Sequence, residues 1–240
     1  MPRGLFITGT DTDAGKTFLA AAILRAMIDA GLTPGAYKPV ASGSGSHDGD
    51  ARVLWEAAGR RLDPGVVCPQ RFRAALAPHH AARLEGRVVD ETLLEEGLAP
   101  WLSSSDVVVV EGAGGLFSPL SEHLLNVDLA LRLGLPAVIV DGGRLGCVGR
   151  VLAARAAAAA RGLPVAAVVV SQSVGDDGRL LSDPTAPRRI AADGAAELQA
   201  RLGDLPVALL PHGAGTTQPA LDWPALAGRS GARVRGKSHP

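Results

Sequence analysis

Cysteine is scarce in this chain of 240 residues. Its two thiols, Cys68 and Cys147, are too few and too far apart to suggest a metal cage or a disulfide framework. A reducing cytoplasm is the expected setting. An excess of charge is missing too: lysine plus arginine number 24, and so do aspartate plus glutamate. That balance sets up no overall field to draw in nucleic acid or anionic lipid, so neither a nucleic acid nor a membrane is an expected partner, although local basic patches stay open. There is no apolar span of about 18 residues, which excludes a helix crossing a membrane. Met1-Pro2-Arg3 runs directly into apolar residues, so no signal peptide is expected. The chain is long enough to bury roughly 70–75% of its unfolded surface as one large domain.

Short apolar runs rich in β-branched residues stand out at 5–8, 107–110, 137–140 and 165–170, with a shorter one at Val207–Leu210 and a weaker one at 36–37. They are continuous rather than alternating, as strands covered on both faces require. Between them lie segments with helical periodicity, at 17–30, 50–58, 91–102, 127–133, 148–161 and Pro187–Leu202. Strands alternating with helices predict an α/β fold with a doubly wound, mostly parallel sheet and helices on both faces. The alanine-rich stretch at 152–160 reads as a helix packed closely on the sheet rather than as low complexity. The sequence shows no repeat and no internal boundary, so residues 1–228 read as a single domain. Residues 229–240 offer little to bury and read as a disordered tail.

In such sheets, ligands sit beyond the carboxyl ends of the strands. Beyond the first strand stands Gly9-Thr10-Asp11-Thr12-Asp13-Ala14-Gly15-Lys16-Thr17, followed by the helical periodicity of Phe18, Leu19, Ala22 and Ile23. A strand, a glycine-bearing loop ending in Gly-Lys-Thr, and a helix form the arrangement that wraps phosphate oxygens. Thr10 stands where the usual spacing has its first glycine. Lys16 is placed for the terminal phosphates and the Thr17 hydroxyl for Mg²⁺. A nucleoside triphosphate is the expected ligand.

Other strand ends add groups of the same kind. Glu111 follows the run at 107–110 and leads into Gly112-Ala113-Gly114-Gly115. A carboxylate there suits Mg²⁺, which prefers hard oxygen ligands, and the glycines let backbone approach phosphates. Lys38 follows the second strand in Tyr37-Lys38-Pro39-Val40-Ala41-Ser42-Gly43. It reads either as a cation for transferred phosphate or as a solvated surface lysine. Asp48 and Asp50 precede a helix, and each reads as a cap or as a further Mg²⁺ oxygen. Asp141-Gly142-Gly143-Arg144-Leu145-Gly146-Cys147 enters the alanine-rich helix, a plausible carboxylate site in which Cys147 reads as a small buried residue. Pro78-His79-His80 falls in a Pro/Ala-rich loop suited to capping or substrate contact rather than metal binding.

Together, GTDTDAGKT, YKPVASG and VEGAGG with Ser118-Pro119-Leu120 resemble the dethiobiotin synthetase family, in the family's order. Pro78-His79, Glu85-Gly86 and Leu145-Gly146-Cys147 match it as well, and the resemblance runs from about Leu5 to Pro211. It implies a cytoplasmic homodimer that closes the ureido ring of dethiobiotin from 7,8-diaminononanoate, CO₂ and ATP, with Mg²⁺ as cofactor. One amine captures CO₂ as a carbamate, the carbamate attacks the γ-phosphate, and the second amine displaces phosphate from the mixed anhydride.

The resemblance also assigns roles. Lys38, Lys16 and Thr12 would be catalytic. Ser42 would hold the carbamate or amine, and Gly146, Cys147 and Val148 would take the substrate carboxylate across a twofold interface. The nucleotide would lie on Asp13, Ala14, Gly15, Lys16, Thr17, Phe18, Asp50, Glu111, Gly112, Ala113 and Gly114. Ser171, Gln172, Pro211, His212 and Gly213 would face the base. Thr17, Asp50 and Glu111 would surround Mg²⁺, with Asp50 preferred to Asp48 because it begins the helix. Two departures stand out. Ser171-Gln172 occupies the place of an Asn-Asp pair that reads adenine, and a serine offers one hydroxyl where asparagine offers a donor and an acceptor. Gly149 replaces a polar residue beside the carboxylate loop.

Two other classes share the phosphate loop. Partition and positioning ATPases carry a signature lysine early in the loop, where this chain has Asp11. Enzymes that amidate corrin-type acids carry a glutamine-hydrolysing domain with a nucleophilic cysteine, for which neither Cys68 nor Cys147 has the context.

Overall fold

A computed structural model gives the fold and describes residues 3–43, 49–172, 183 and 186–228. The readings made for Asp48 and for the tail at 229–240 lie outside the described residues. The first half of the chain runs β1 (Gly4–Gly9), α1 (Lys16–Asp29), β2 (Pro34–Tyr37), β3 (Val40–Ser42), α2 (Gly49–Ala57), α3 (Pro64–Val67), β4 (Gln70–Phe72), α4 (Pro78–Leu84), α5 (Glu91–Glu96) and α6 (Ala99–Ser104). The second half runs β5 (Val107–Gly115), α7 (Asn126–Leu133), β6 (Ala137–Asp141), α8 (Cys147–Ala160), β7 (Val165–Ser171), α9 (Pro187–Leu202), β8 (Val207–Leu210) and α10 (Trp223–Ala227).

Six strands form one sheet in the order β2-β5-β1-β6-β7-β8, and the neighbouring pairs are parallel. Each expected apolar run is therefore a strand of one sheet. Successive residues feed different cores: Ile139, Val168 and Val170 pack with Val151 of α8 and Ala191 and Leu198 of α9, whereas Val138, Val140 and Val169 join the larger cluster with Leu19 and Ile23 of α1. Since strand side chains alternate between faces, helices cover both. Burying Leu19, Ile23 or Met27 of α1 removes each from water completely, which contributes roughly 1.5–3 kcal/mol apiece.

The sheet order makes β1 the switch point. The chain leaves β1 toward β2 on one side and later places β6 on the other. The crevice beyond its carboxyl end is bordered by β5 and β6, the position at which open α/β sheets take ligands.

Several local expectations are corrected. The segment at 91–102 is two helices, because the Tyr37 hydroxyl donates to the Leu93 carbonyl at 2.7 Å and Pro100 has no N–H to continue the ladder. Pro78-His79-His80 opens helix α4 instead of lying in a loop, with Pro78 in the first turn, where a missing N–H costs nothing. Strand β5 runs on through Glu111 to Gly115, since Gly115 still pairs with Gly9. The alanine-rich helix α8 buries only Cys147, Val151 and Ala158, while Ala153, Ala156 and Ala160 stay exposed, so it rests on the sheet by a narrow edge. A small second sheet, β3 beside β4, is an addition the apolar pattern did not reveal.

Candidate functional site

The loop between β1 and α1 turns on two left-handed residues, Asp13 (φ 56°) and Gly15 (φ 90°). A side chain at Gly15 would meet the Ser171 hydroxyl at 2.3 Å, so glycine is required for conformation and for space. Lys16 follows, buried, and its ammonium donates to the Asp11 carbonyl at 3.2 Å. Burial lowers its pKa below an ordinary lysine's, and nearby Lys38 lowers it further, against the opposing pull of Glu111. Apart from Lys237, Lys16 and Lys38 are the chain's lysines; arginine carries the remaining basic charge.

Lys38 is 5% exposed, which overturns the reading of a solvated lysine. Its ammonium lies 2.7 Å from Glu111 Oε1 and bonds Asp50 as well. Burial alone would lower its pKa, but the two carboxylates outweigh burial and hold the ammonium above the ordinary lysine range. Asp50 mirrors it. Burial pushes its carboxyl up, and the Lys38 charge and hydrogen bond, with help from the Thr17 hydroxyl, bring it below the usual carboxylate range. Thr17 Oγ1 donates to Glu111 Oε1 at 2.9 Å. Four side chains from α1, α2, β5 and the end of β2 thus meet at one point.

Glu111 Oε2 is buried and has no hydrogen-bond partner. An unsatisfied buried carboxylate oxygen is costly, and a hard divalent cation would satisfy it. Among the described residues no three His, Cys, Asp or Glu side chains gather for a metal. A cation here would rely on Glu111, Asp50, the Thr17 hydroxyl and oxygens of its ligand, the sparse protein donor set that suits Mg²⁺.

A cavity of about 780 Å³ opens over this cluster. It is lined by Thr12, Asp13, Gly15, Lys16, Thr17 and Phe18 on the loop side. Lys38, Ser42 and Asp50 line a second wall, and Glu111, Gly112, Ala113 and Gly114 a third. Ser171, Gln172, Pro211, His212 and Gly213 close the far end. Ala14 is buried behind the loop, and Gly146, Cys147 and Val148 lie outside the lining, at the start of α8. Ser42 Oγ donates to the Leu76 carbonyl at 2.6 Å, which joins β3 to the segment before α4. Gln172 is buried, and its Oε1 accepts from the His212 N–H at 3.4 Å while Nε2 has no partner. A buried residue that closes the far end of the cavity thus carries an unpaired amide donor.

Both thiols are free and buried. Burial pushes the Cys68 thiol up to about 11, and burial followed by Asp141 also raises Cys147. Neither is poised as a nucleophile. The ring centroids of His79 and His80 lie 4.0 Å apart at the start of α4, with the planes tilted by 48°.

Two supports for the site were missed in the sequence. Asn126, fully buried at the start of α7, donates from Nδ2 to the carbonyls of Ala113 (2.6 Å) and Gly115 (2.8 Å) and so braces the glycine segment. Its one signal was an amide heading a predicted helix. Buried Asp141 pairs with half-buried Arg150 beside the phosphate loop, and nothing but the acid's place at a strand end hinted at it.

A family model described as an AAA domain matches residues 3–209. The chain is similar to ATP-dependent dethiobiotin synthetase BioD of Anaeromyxobacter dehalogenans strain 2CP-C, at 40% identity over 87% of this chain and 90% of that protein. BioD of Rhodopirellula baltica is 43% identical over 70% of this chain and 72% of its own length. BioD of Caulobacter vibrioides strain NA1000 is 43% identical over 72% and 81%. Among solved structures, cell division protein FtsY from Thermotoga maritima superposes with a TM-score of 0.50 at 15% identity, over 95% of this chain and 67% of that one. That likeness speaks for the phosphate-loop α/β fold alone.

Proposed function

The chain belongs to the ATP-dependent dethiobiotin synthetase family, and on that premise we propose that it closes the ureido ring of dethiobiotin from 7,8-diaminononanoate, CO₂ and ATP. The observation that carries the reading is the meeting of buried Lys38 and Glu111 with half-buried Thr17 and the more exposed Asp50 beside Lys16, inside a cavity large enough for two substrates. A carbamate and a triphosphate repel each other, so their encounter needs fixed positive charge in a site shielded from water.

In this reading the backbone from Asp13 to Thr17 and the start of α1 wrap the phosphates, with Lys16 on the terminal ones. Lys38 faces the carbamate and the γ-phosphate and offsets the charge that gathers as the new bond forms. Thr12 and Ser42 orient the diamine nitrogens by hydrogen bonding. Gln172, Ser171 and the segment 211–213 receive the base. Thr17, Asp50 and Glu111 would hold Mg²⁺, and the orphaned Oε2 of Glu111 supports this assignment. When bound, Mg²⁺ supplies charge neutralisation on the phosphate oxygens.

The start of α8, at Gly146, Cys147 and Val148, receives the carboxylate of the diamine bound in a partner's cavity. The homodimer this requires is supported by an uncovered apolar side chain in that loop, Leu145, which is 84% exposed. Two free buried thiols suit a cytoplasmic setting. Among the described residues no helix is long and apolar enough to cross a membrane.

The test mixes purified protein with bicarbonate, MgATP and 7,8-diaminononanoate and follows phosphate. Release that depends on the diamine is expected. Release of the same size without diamine would point instead to a switch ATPase.

A further inference from the structure

Asp141 ends β6 with no exposed surface, and its four acceptor positions are all taken. Oδ1 accepts from the Gly143 N–H at 2.9 Å and from Arg150 Nη2 at 2.9 Å. Oδ2 accepts from Thr10 Oγ1 at 2.6 Å and from Arg150 Nε at 2.8 Å. Such a two-pronged pairing fixes both the direction and the plane of the guanidinium. Thr10 opens the phosphate loop, whereas Gly143 precedes α8 and Arg150 lies in its first turn. One buried carboxylate thus ties together two loops that serve different substrates in the reading above.

The remaining donors of Arg150 act on the second loop. Nη1 reaches the Leu145 carbonyl at 3.0 Å, and Nη2 is 3.3 Å from the Arg144 carbonyl. Carbonyl oxygens held by a guanidinium are kept from facing an incoming carboxylate, which they would repel. The chain then turns through Gly146 (φ 85°) into α8, and no side chain caps that helix start. The Cys147 N–H is tied to the Arg144 carbonyl at 2.9 Å, so what the helix start presents is its partial positive charge and the N–H groups beyond that one, on a loop whose shape Arg150 sets.

We propose that Asp141 and Arg150 are positioning residues for the diamine: they hold the loop at 142–146 in the form that receives its carboxylate, and through Thr10 they register that loop against the phosphate loop. The inference rests on the start of α8 being the carboxylate site. Neither residue touches the reacting atoms, and the effect of losing them falls on the diamine rather than on the nucleotide.

Arg150→Met alone would strand a buried carboxylate and can unfold the chain. The paired variant Asp141→Asn/Arg150→Met removes both charges and is measured with it, alongside Arg150→Lys. Kinetics are recorded with diamine varied and with ATP varied, together with melting curves and calorimetric titration by ATP. In the folded paired variant KM for the diamine rises about tenfold or more, the scale at which a displaced binding group is felt. The Kd for ATP and kcat stay within about threefold, the signature of lost binding shared by ground and transition states. Arg150→Lys falls between, because it keeps the charge and loses the fork. A diamine KM within about twofold of the unsubstituted enzyme, or parallel rises in both KM values, overturns the positioning role. If the unsubstituted protein releases no diamine-dependent phosphate, the parent reading fails and takes this one with it. Normal release with an unmoved diamine KM in the variant sinks the positioning role alone.

Discussion

Lys38 and Glu111 meet at 2.7 Å, ammonium nitrogen to Oε1, with 6% and 1% of their side chains exposed. With Asp50, the acid supplies the charge that holds the lysine's pKa up in a place where burial alone would lower it. The lysine in turn permits a buried carboxylate whose second oxygen stays free for a cation. Replacing Lys38 by methionine therefore has two separable effects. Turnover should fall by about 10²–10³, as when one preorganised charge-stabilising group is lost. The melting temperature should fall too, because Glu111 and Asp50 are left without their cation. Nucleotide affinity, measured by calorimetry, should stay nearly unchanged, whereas Lys16→Ala should weaken both affinity and turnover. The opposite pattern would exchange the roles of the two lysines.

Gly15→Ala should be more damaging than an added methyl suggests. The residue sits at φ 90°, and the new carbon would approach the Ser171 hydroxyl to 2.3 Å. The left-handed conformation alone costs about 1–2 kcal/mol for an L-residue. Triphosphate affinity should drop by about tenfold or more, the factor that 1.4 kcal/mol produces. Wild-type affinity in this variant would mean that the loop does not hold the phosphates.

Alkaline pH should loosen the unliganded fold. Folding raises the pKa of Cys68 from 9.0 to about 11 and raises Tyr37 above its ordinary 10.0, in both cases chiefly by burial. The carboxylates raise Lys38 above 10.5 against burial. A group raised by folding stabilises below its unfolded pKa and loses that contribution as pH climbs toward the folded one. Lys16, lowered by burial, acts in the opposite sense and softens the decline. Melting temperatures should therefore fall once pH passes the 9.0 of an ordinary thiol. Cys147, also raised from 9.0, contributes over the same range, so the paired variant Cys68→Ala/Cys147→Ala should delay the onset toward 10.0, where Tyr37 begins to contribute. A flat profile up to that point in the unsubstituted protein would contradict the burial account.

Gln172, among the residues that close the far end of the cavity, has a buried amide donor without a partner, and its acceptor is occupied by the His212 N–H. Gln172→Ala should raise KM for ATP about three- to tenfold with kcat unchanged, as loss of uniform binding does. A fall in kcat at constant KM would remove this residue from the base subsite.

Much of the fold was legible because each strand of the main sheet is a continuous apolar run, covered on both faces, and its helices fill the intervals. The phosphate loop and Lys38 were legible because they follow strand ends, where a parallel sheet gathers its chemistry, and Glu111 because it ends the apolar run of β5, although the strand itself continues to Gly115. What was hidden depends on contacts distant in sequence. The break near Gly97 owes its distant part to Tyr37, whose hydroxyl donates to the Leu93 carbonyl. The β3–β4 ladder pairs two three-residue segments too short for any period to register. Asn126 and the Asp141–Arg150 pair act through backbone carbonyls and a neighbouring loop, and spacing along the chain encodes neither.

The central claim is that carbon from CO₂ enters a ring at the expense of ATP, and isotope incorporation tests it most directly. The protein is incubated with ¹³C-bicarbonate, MgATP and 7,8-diaminononanoate, and the product is weighed by mass spectrometry. The account predicts dethiobiotin one mass unit heavier than the unlabelled compound, formed in step with phosphate release. Phosphate release with no labelled cyclic product would contradict it.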